Sequence, residues 1–516
     1  MTTAAGLPRH PALISGSVIL AALLYSIDWT IAAVALPHMQ GTFSATSDQI
    51  SWIITSYIVA SAVMIPTAGW LSSRFGRKRV FLWAMAGFTL ASLFCGLADT
   101  LAFEVFARIV QGMSGAFLIP LSQAIILDTY PVERHGKAMA LWGTGAVFGS
   151  VIGPTIGGYV TEYMSWRYIF FLNIPFGVLA WLGILAFVPE TVRDAKHRLD
   201  WFGFLALAMG LGALQMALDR GGRLDWFESG EIVLEACLAV LGIYLFIAHS
   251  VTTRNPFLDL SLLTQRSFFF ALAFVFGYGL LTLPTMVMMP AFLQDIRGYP
   301  IDTVGLLQSP RGFGLLLAMV ISGRAMDRVS PRSLMAFGLL CLAGSSAEMA
   351  TWNTDVGEWP IVWTGFVQGV GAGIMLVPAQ VLAFSSLPAH QRTEATAVFN
   401  LARSFGSSVG VSIALAFFVH TSAVNHAQLV EHVTPYNDAL RGEVKSNGWD
   451  MSTQTGLATI EREINRQAAM LGYTADFWLI ATGAVLGLPL LLFMGSGRRT
   501  RSESSHETAP MPIAVE

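Results

Sequence analysis

Residues 108–160 read RIVQGMSGAFLIPLSQAIILDTYPVERHGKAMALWGTGAVFGSVIGPTIGGYV and contain two apolar segments, each long enough to cross a membrane. Much of this stretch returns about 257 residues further on, where Gln368-Gly369 matches Gln111-Gly112. The other matched positions are Phe405-Gly406 with Gly410 and Phe148-Gly149 with Gly153. A membrane-length pattern that recurs in this way predicts two similar halves, with a binding site where the halves meet.

The composition is that of an integral membrane protein. Of the 516 residues, 54% are hydrophobic and 12% are charged, whereas soluble domains carry roughly 25% charged residues. The net charge is −3, and the basic residues are spread among short loops rather than gathered in a patch suited to nucleic acid. Cys95, Cys237 and Cys341 lie far apart in apolar segments, a spacing that fits neither a metal site nor a disulfide framework.

Fourteen segments satisfy the requirement of roughly 20 mostly apolar residues for a spanning helix. They lie near residues 14–36, 49–71, 80–98, 102–123, 138–160, 167–188, 200–219, 231–250, 268–293, 303–325, 333–352, 360–383, 398–420 and 474–495. Lysine and arginine concentrate in the loops on one side, including residues 74–79, 134–137 and 328–332. Such an excess marks the cytoplasm, which predicts that both termini are cytoplasmic.

One loop on the opposite side is long and polar, from Thr421 to Tyr473. Its second part, GLATIEREINRQAAMLGY (456–473), has apolar residues at helical spacing. Two interpretations stay open: a short helix outside the membrane that meets a partner, or a solvated connector without one. The tail, residues 497–516, is basic and then polar, which predicts disorder.

Ionisable residues inside spanning helices are costly, so each is a functional candidate. Asp28 in the first helix, Arg108 in the fourth and Arg311 in the tenth are each predicted to lie roughly 10–12 Å below the outer surface. A carboxyl group influenced by burial and by a nearby arginine can take up and release a proton. Asp28 with Arg108 is therefore the candidate proton-coupling pair, and a salt bridge that only sets packing is the alternative.

The candidate substrate cavity contains Tyr25, Trp29, Gln111, Arg311 and Glu348. Aromatic walls with few fixed polar groups suit varied apolar ligands, although core packing explains the same residues. Glu348 lies near a helix end, where it either holds cationic substrates or is simply hydrated. Arg403 lies in the inner half of its helix, where we expect it to extend to the cytoplasm.

Glycine-rich and basic patterns occur at matching places in both halves. GWLSSRFGRKRV (69–80) and GRAMDRVSPRS (323–333) suit a cytoplasmic latch, since glycines let helix ends approach closely. The residues of this predicted loop motif are Gly69, Arg74, Gly76, Arg77, Gly323, Asp327 and Arg328. In the fifth helix, glycines four residues apart line one face and a proline removes one backbone hydrogen bond. The residues of that motif are Gly149, Gly153, Pro154, Gly157 and Gly158.

These stretches together resemble the major facilitator superfamily, and within it the fourteen-helix drug:proton antiporters of the EmrB/QacA type. IDWTIAAVALP (27–37) is similar to that family's first-helix motif, RIVQGMSGA (108–116) to its fourth-helix motif, and GSVIGPTIGG (149–158) to its antiporter motif. GWLSSRFGRKRV resembles the superfamily loop motif, but Ser73 stands where an aspartate is usual. LQMALDRGGRLDWF (214–227) and NHAQLVEHVTPYN (425–437) look closest to the EmrB branch.

The resemblance implies an all-α membrane protein with the major facilitator fold. We predict a six-helix bundle in residues 1–190, two linker helices in 191–266, and a second six-helix bundle in 267–496 that includes the loop 421–473. The resemblance also implies proton transfer through Asp28 and Arg108, and export of amphipathic or toxic compounds across a bacterial inner membrane. A periplasmic adaptor and an outer-membrane channel are its implied partners, and the proton gradient replaces any cofactor.

Other functions stay open at this point. A dedicated exporter of one metabolite, lipid or siderophore would have the same helices, and so would a membrane sensor that moves nothing. A membrane-embedded enzyme is less well supported, because no nucleophile with a base, no clustered carboxylates and no metal-ligand spacing occur near a span end. No Walker-type loop occurs either, which argues against an ATP-driven pump.

Overall fold

The computed structural model describes residues 10–191, 199–253, 256–258, 260–384, 387–388, 390–434, 449 and 453–494. Within these residues the chain is helical and contains no strand. The predicted disordered tail, residues 497–516, lies outside the described residues.

The described residues form fourteen membrane-length segments, each counted here as one helix even where a short turn interrupts it. In the first half these are α1 Pro11–Phe43, α2 Asp48–Phe75, α3 Arg77–Gly96, α4 Leu101–Thr129, α5 Val132–Tyr163 and α6 Arg167–Phe187. Next come α7 Trp201–Arg223 and α8 Gly230–Thr252. The second half contains α9 Arg266–Ile296, α10 Thr303–Ala325, α11 Pro331–Met349, α12 Glu358–Phe384, α13 Arg392–Glu431 and α14 Gln454–Phe493.

The prediction of fourteen helices is confirmed within the described part of the chain. Thirteen of these segments are both long and apolar enough to cross a membrane. The remaining one, α11, has 19 residues, so it is about 28 Å long and close to the thickness of a bilayer core.

Several helices begin at a polar side chain that accepts a hydrogen bond from the first turn. The first amide groups of a helix have no partner within it, and a hydroxyl or carboxylate at the preceding residue supplies one. The capping residues are Thr46, Thr100, Asp200, Ser330 and Thr453. Loop residues of the sequence thus set where several spans start.

The segment 421–473, predicted as a long polar loop with a helix possible in its second part, is helical at both of its described ends. Helix α13 continues without a break to Glu431, and α14 begins at Gln454 and runs into the membrane. The polar residues at either end of the predicted loop therefore extend two spanning helices, because their spacing still favours a helix where it no longer favours lipid. Residues 435–448 and 450–452 lie outside the described residues.

The helices pack as two bundles that meet along one surface. Within the first half α1 packs against α5 and α6, and within the second α9 packs against α13 and α12. The halves contact each other through α5 with α10 and through α4 with α13. Helix α7 packs against both α2 and α13, while α8 packs against α7. The domain division at residues 190 and 266 stays a prediction.

The repeated glycines make the same close approach in both halves. A Cβ atom on Gly112 of α4 would overlap the carbonyl group of Tyr57 in α2, and one on Gly369 of α12 would overlap that of Arg311 in α10. Only glycine lets the two backbones come this close. The sequence repeat is therefore also a repeat of helix packing.

Candidate functional site

Asp28 lies at the centre of a buried polar network in the first bundle. The side chain is buried, and Arg108 Nη1 donates to Asp28 Oδ2 over 2.9 Å. Gln111 Nε2 and Asn173 Nδ2 both donate to Asp28 Oδ1, over 2.8 and 2.7 Å. Three donors, one of them a cation, thus fix the orientation of the buried carboxyl group.

The positions of the donors follow from helix geometry. Arg108 and Gln111 are three residues apart on α4, so both side chains face α1. Gln111 also accepts from Arg108 Nη1 over 2.7 Å and donates to Ser92 Oγ of α3. Four helices thus contribute to one network around Asp28.

Arg108 is fully buried and has further contacts that fix its orientation. Its Nε atom donates to the carbonyl oxygen of Ile53 over 3.3 Å. Its Cζ atom lies 4.4 Å from the centre of the Tyr57 ring and 5.6 Å from that of Phe170. Cation–π contact in a desolvated site adds attraction to the ion pair. Arg108 is therefore placed between its acid and an aromatic wall.

A cavity of about 260 Å³ lies between the two bundles. Aromatic and aliphatic side chains line much of it, with hydroxyl and amide groups on one side. The aromatic lining residues are Tyr25, Trp29, Tyr57 and Trp142, and the polar ones include Gln380, Asn400, Ser404, Ser407 and Ser408. A largely apolar wall with a few polar groups is the usual chemistry of a small-molecule site.

Tyr57 belongs to both the network and the cavity. It lines the cavity and at the same time covers the guanidinium of Arg108. Tyr25 supports it, since the two ring centres are 6.1 Å apart and Tyr25 lines the same cavity. The buried ion pair is thus separated from the cavity by aromatic side chains rather than by a helix.

The structure places the five predicted cavity residues differently. Tyr25 and Trp29 line the cavity, whereas Gln111 points into the Asp28 network. Arg311 lies in the other bundle and donates to the carbonyl oxygen of Thr282 over 2.8 Å. Glu348 is exposed at the end of α11. The expectation that these three residues line the cavity is corrected, because depth in the membrane gives a residue's height but not its direction.

Arg403 was expected to extend to the cytoplasm, and this expectation is wrong. It is the one charged side chain among the described residues that line the cavity. It lies one turn from Asn400 and Ser407 on α13, so its side chain faces the same way as theirs. The described residues provide no ion-pair partner for it.

Glu104 is a buried acid that the sequence reasoning did not single out. It is fully buried on α4, one turn before Arg108 and toward the outer end of that helix. Among the described residues neither of its carboxyl oxygens accepts a hydrogen bond of normal length and angle. The thiol of Cys95 lies beside it. The signal that could have found it was its spacing, because residues four apart on a helix share a face.

The cavity is closed at the end that carries the basic loops. Asp128 at the end of α4 binds Arg77 of the first bundle, and its Oδ1 atom accepts from Arg392 Nη1 of the second bundle over 2.6 Å. Deeper in, Asn400 Nδ2 donates to Gln123 Oε1 over 2.6 Å. These contacts join α4 to α13, so the two bundles touch on this side of the cavity.

The predicted loop motif lies at the same closed end. A Cβ atom on Gly69 would overlap Glu394 of α13, and one on Gly323 would overlap Ala140 of α5. Asp327 pairs with Lys137 over 2.7 Å. The other positions are placed as follows: Gly76 has a positive φ of 90° between α2 and α3, Arg74 lies over Trp70 and Phe75, Arg77 binds Asp128, and Arg328 lies in the turn before α11.

The glycines of α5 face α1, the helix that carries Asp28. A Cβ atom on Gly149 would overlap the backbone of Leu23, and one on Gly153 would overlap the hydroxyl of Thr30. Gly157 lies against Ile31 in the same row, while Gly158 has nothing within 4 Å of a Cβ and Pro154 is exposed. The row brings α5 against the segment of α1 that holds Asp28.

Comparison with known proteins adds to this geometry. The sequence profile of the Major Facilitator Superfamily matches residues 18–411. The multidrug export protein EmrB of Escherichia coli (strain K12) is 32% identical over 482 residues, which cover 92% of this chain and 93% of that protein. The fatty acid resistance protein FarB of Neisseria gonorrhoeae is 32% identical over 477 residues, which cover 92% of this chain and 93% of that protein.

Among solved structures, the crystal structure of the human organic anion transporter MFSD10 matches with a TM-score of 0.63. The match covers 93% of this chain and 99% of that one at 14% sequence identity. At this identity the likeness concerns the fold alone.

Proposed function

The chain belongs to the major facilitator superfamily, in the branch that contains EmrB, and from this premise we propose that it exports amphipathic, toxic compounds in exchange for protons. The family and the fold predicted from the sequence are confirmed, and the chain is a transporter rather than an enzyme. The observation that supports proton exchange most directly is the buried pair of Asp28 and Arg108 beside the central cavity.

The closed basic end supports alternating access. With the bundles joined by Arg392 and Asp128, a substrate in the cavity can leave only away from that end. Breaking this contact while a new one forms at the opposite end would expose the cavity to the other side. Such rocking of two repeated halves around a fixed site is the general mechanism of secondary carriers.

Proton binding at Asp28 changes the charge next to the cavity. When the carboxylate takes a proton, it loses its attraction for Arg108, which then remains as an unpaired buried cation. Leaving one partner of a buried pair without the other costs about 3–5 kcal/mol. A change of that size is sufficient to shift the balance between two conformations of the bundles. The released charge lies behind Tyr57, so it also alters the potential in the cavity.

Glu104 is placed to bind a proton that enters from the outer side before it reaches Asp28. It is one turn nearer the outer end of α4 than Arg108 and lies beside the thiol of Cys95. A buried acid that forms no ion pair within the described residues is easily kept neutral, so it can pass a proton inward without long-lived charge. We assign Glu104 the role of an outer relay and Asp28 that of the coupling acid.

The lining of the cavity suits amphipathic substrates and favours a negatively charged head group. Its aromatic wall suits apolar bodies, whereas Arg403 and the hydroxyl groups beside it suit an anionic or strongly polar head. The resulting second candidate is a dedicated exporter of an anionic amphiphile, and the name of the relative FarB is consistent with it. A cationic drug in the cavity would instead be repelled by the positive charge of Arg403.

For the cellular setting we propose a bacterial inner membrane with both termini in the cytoplasm. The basic loops at the closed end support this orientation. The helical extensions of α13 and α14 then project outward from the membrane, beyond residue 421 and before residue 473. Two such helices are a suitable surface for a periplasmic adaptor that leads to an outer-membrane channel.

The test of the function is proton-driven efflux from proteoliposomes that contain the purified protein. The probes are ethidium, a cationic amphiphile, and oleate, an anionic one. We expect the wild type to move at least one of them against its gradient when a pH gradient is applied. The substitution Asp28→Asn should abolish this movement, while the matched substitution Asp48→Asn, at an exposed acid 87% accessible to solvent, should preserve it.

Full pH-driven efflux by Asp28→Asn would overturn the assignment of the coupling acid. Binding of a probe by the wild type without any movement across the membrane would favour the sensor alternative. Movement of oleate alone would favour the dedicated exporter over a multidrug exporter.

A further inference from the structure

The second bundle also contains a buried acid, Asp476 of α14. Its side chain is 1% exposed, and among the described residues neither carboxyl oxygen accepts a hydrogen bond. Asp28, by contrast, has three donors. Burying a carboxylate charge with no partner is costly, so a carboxyl in this position is stable as the neutral acid.

The second bundle repeats the polar arrangement around Asp28, with a threonine in place of the acid. In the first bundle Gln111 Nε2 donates to Asp28 and to Ser92 Oγ. In the second, Gln368 Nε2 donates to Thr285 Oγ1 over 3.4 Å and to Ser346 Oγ over 3.5 Å. Gln111 is 83 residues from Asp28, and Gln368 is 83 residues from Thr285. Thr285 therefore occupies the position of Asp28.

The sixth helix of each bundle completes the comparison. Helix α6 carries Phe170 against Arg108 and, three residues later, Asn173, which donates to Asp28. Helix α14 carries Tyr473 and, three residues later, Asp476. Helix α6 packs against α1 and α3, and α14 packs against α9 and α11, which are their counterparts. Asp476 therefore occupies the position of Asn173, so the acid and the neutral residue have exchanged helices between the bundles.

A chain of titratable groups leads from Asp476 toward the outer surface. Tyr473 lies within electrostatic range of both Asp476 and Asp295, and Asp295 is exposed. Asp295 belongs to a π-helical turn, Phe292–Ile296, at the end of α9. Phe292 packs on Tyr473 and Phe477, with ring centres 5.3 and 6.5 Å apart. Turns of this type are frequent at functional sites, and this one packs against both neighbours of Asp476.

The remaining charged groups on the helices around α14 are directed elsewhere. Arg297 and Arg466 both donate to the carbonyl oxygen of Thr354. Glu348 at the end of α11 and His420 within α13 are both exposed. Within the described residues, then, Asp476 has Tyr473 as its titratable neighbour, Tyr473 in turn neighbours Asp295, and no cation pairs with Asp476.

We propose that Asp476 binds and releases a second proton during the transport cycle, so that each bundle contains one coupling acid. The proton leaves the carboxyl oxygen of Asp476 for water on the outer side, along the part of the bundle that carries Tyr473 and Asp295. This inference rests on the proposed proton exchange and specifies how many protons take part.

The experiment is a reversal measurement in proteoliposomes, at zero membrane potential and with the probe that the wild type exports. Net movement stops at a particular ratio of the substrate concentrations on the two sides of the membrane, and the number of protons exchanged per substrate determines that ratio. Each coupled proton changes that ratio about tenfold for one pH unit. We expect Asp476→Asn, which introduces the residue found at the equivalent position 173, to lower the ratio about tenfold. The matched change Asp355→Asn, at an acid 84% exposed on the same face, should leave it unchanged.

An unchanged ratio in active Asp476→Asn would overturn the second proton site while leaving proton-driven export intact. Absence of pH-driven movement by the wild type would instead refute the proposed function on which the inference rests. If Asp476→Asn does not fold into the membrane, infrared spectra of the wild type in lipid test the proposal instead. A carboxylic acid band that disappears reversibly at high pH and is absent from Asp476→Ser supports the site, and a band insensitive to pH overturns it.

Discussion

The ring of Tyr57 covers the guanidinium of Arg108, with Arg108 Cζ 4.4 Å from the ring centre. Tyr57 also lines the central cavity, so it separates a buried ion pair from the place where a substrate binds. Through this contact a change of charge at Asp28 can alter the electrostatic potential in the cavity. A substrate that moves Tyr57 can likewise change the position of the Arg108 guanidinium.

Replacing Tyr57 by leucine should uncouple proton movement from export. The change removes a cation–π contact worth roughly 1–2 kcal/mol in a desolvated site and opens the pair to water from the cavity. We expect the proton leak without substrate to rise about tenfold, measured with a pH-sensitive dye inside proteoliposomes. Tyr57→Phe keeps the ring and should keep the leak low. An equal leak in both variants would show that the ring is not the barrier.

Replacing Glu104 by glutamine should slow proton delivery without altering substrate binding. The variant retains the shape of the side chain but cannot pass a proton, so the maximal rate of pH-driven efflux should fall about tenfold or more. The substrate concentration for half-maximal rate should stay the same. The matched change Glu358→Gln removes an exposed acid from the first turn of α12 and should have no effect. An unaltered rate in Glu104→Gln would remove Glu104 from the pathway.

Replacing Arg392 by glutamine should loosen the closed end of the transporter. Its partly buried pair with Asp128 contributes about 1 kcal/mol, which corresponds to roughly a fivefold change in population. In a Cys237→Ser background, a cysteine at the cavity residue Ser150 should react about fivefold faster with a membrane-impermeant maleimide from the basic side.

The contrasting variant for the closed end is Lys137→Gln. It breaks a pair whose side chains are 55% and 47% exposed, and such pairs contribute little. It should leave the labelling rate at the cavity cysteine nearly unchanged. Equal effects of the two variants would mean that Asp128 is not the specific contact holding this end shut.

Replacing Arg403 by glutamine should change the charge preference of the cavity. A charged hydrogen bond to an anionic head contributes about 1.5–3 kcal/mol, so affinity for oleate should fall by about tenfold or more. Arg403→Lys keeps the charge and should retain most of the binding. Measurement of oleate and ethidium binding to all three proteins in lipid nanodiscs is the check. Unchanged oleate affinity in Arg403→Gln would place the anionic head elsewhere.

Helix number and the family were accessible from the sequence because both depend on local patterns. Apolar runs of membrane length and the motif around Arg108 need no knowledge of neighbours. At residues 421–473 the helical spacing of residues 456–473 was visible in the sequence, whereas the continuity of these polar ends with the spanning helices α13 and α14 was not. Glu104 was not predicted, because an acid in the first turn of a helix is usual and only the packing of α4 shows that this one is buried.

The sequence by itself determined that the chain crosses the membrane many times, that its halves repeat, and that Asp28 and Arg108 are the unusual charges in their helices. Only the tertiary structure decided which way each side chain faces: Gln111 into the ion-pair network, Arg403 into the cavity, Arg311 away from Asp28. The physical reason is that residue spacing gives depth along a helix axis, whereas direction is set by how the helix packs against its neighbours.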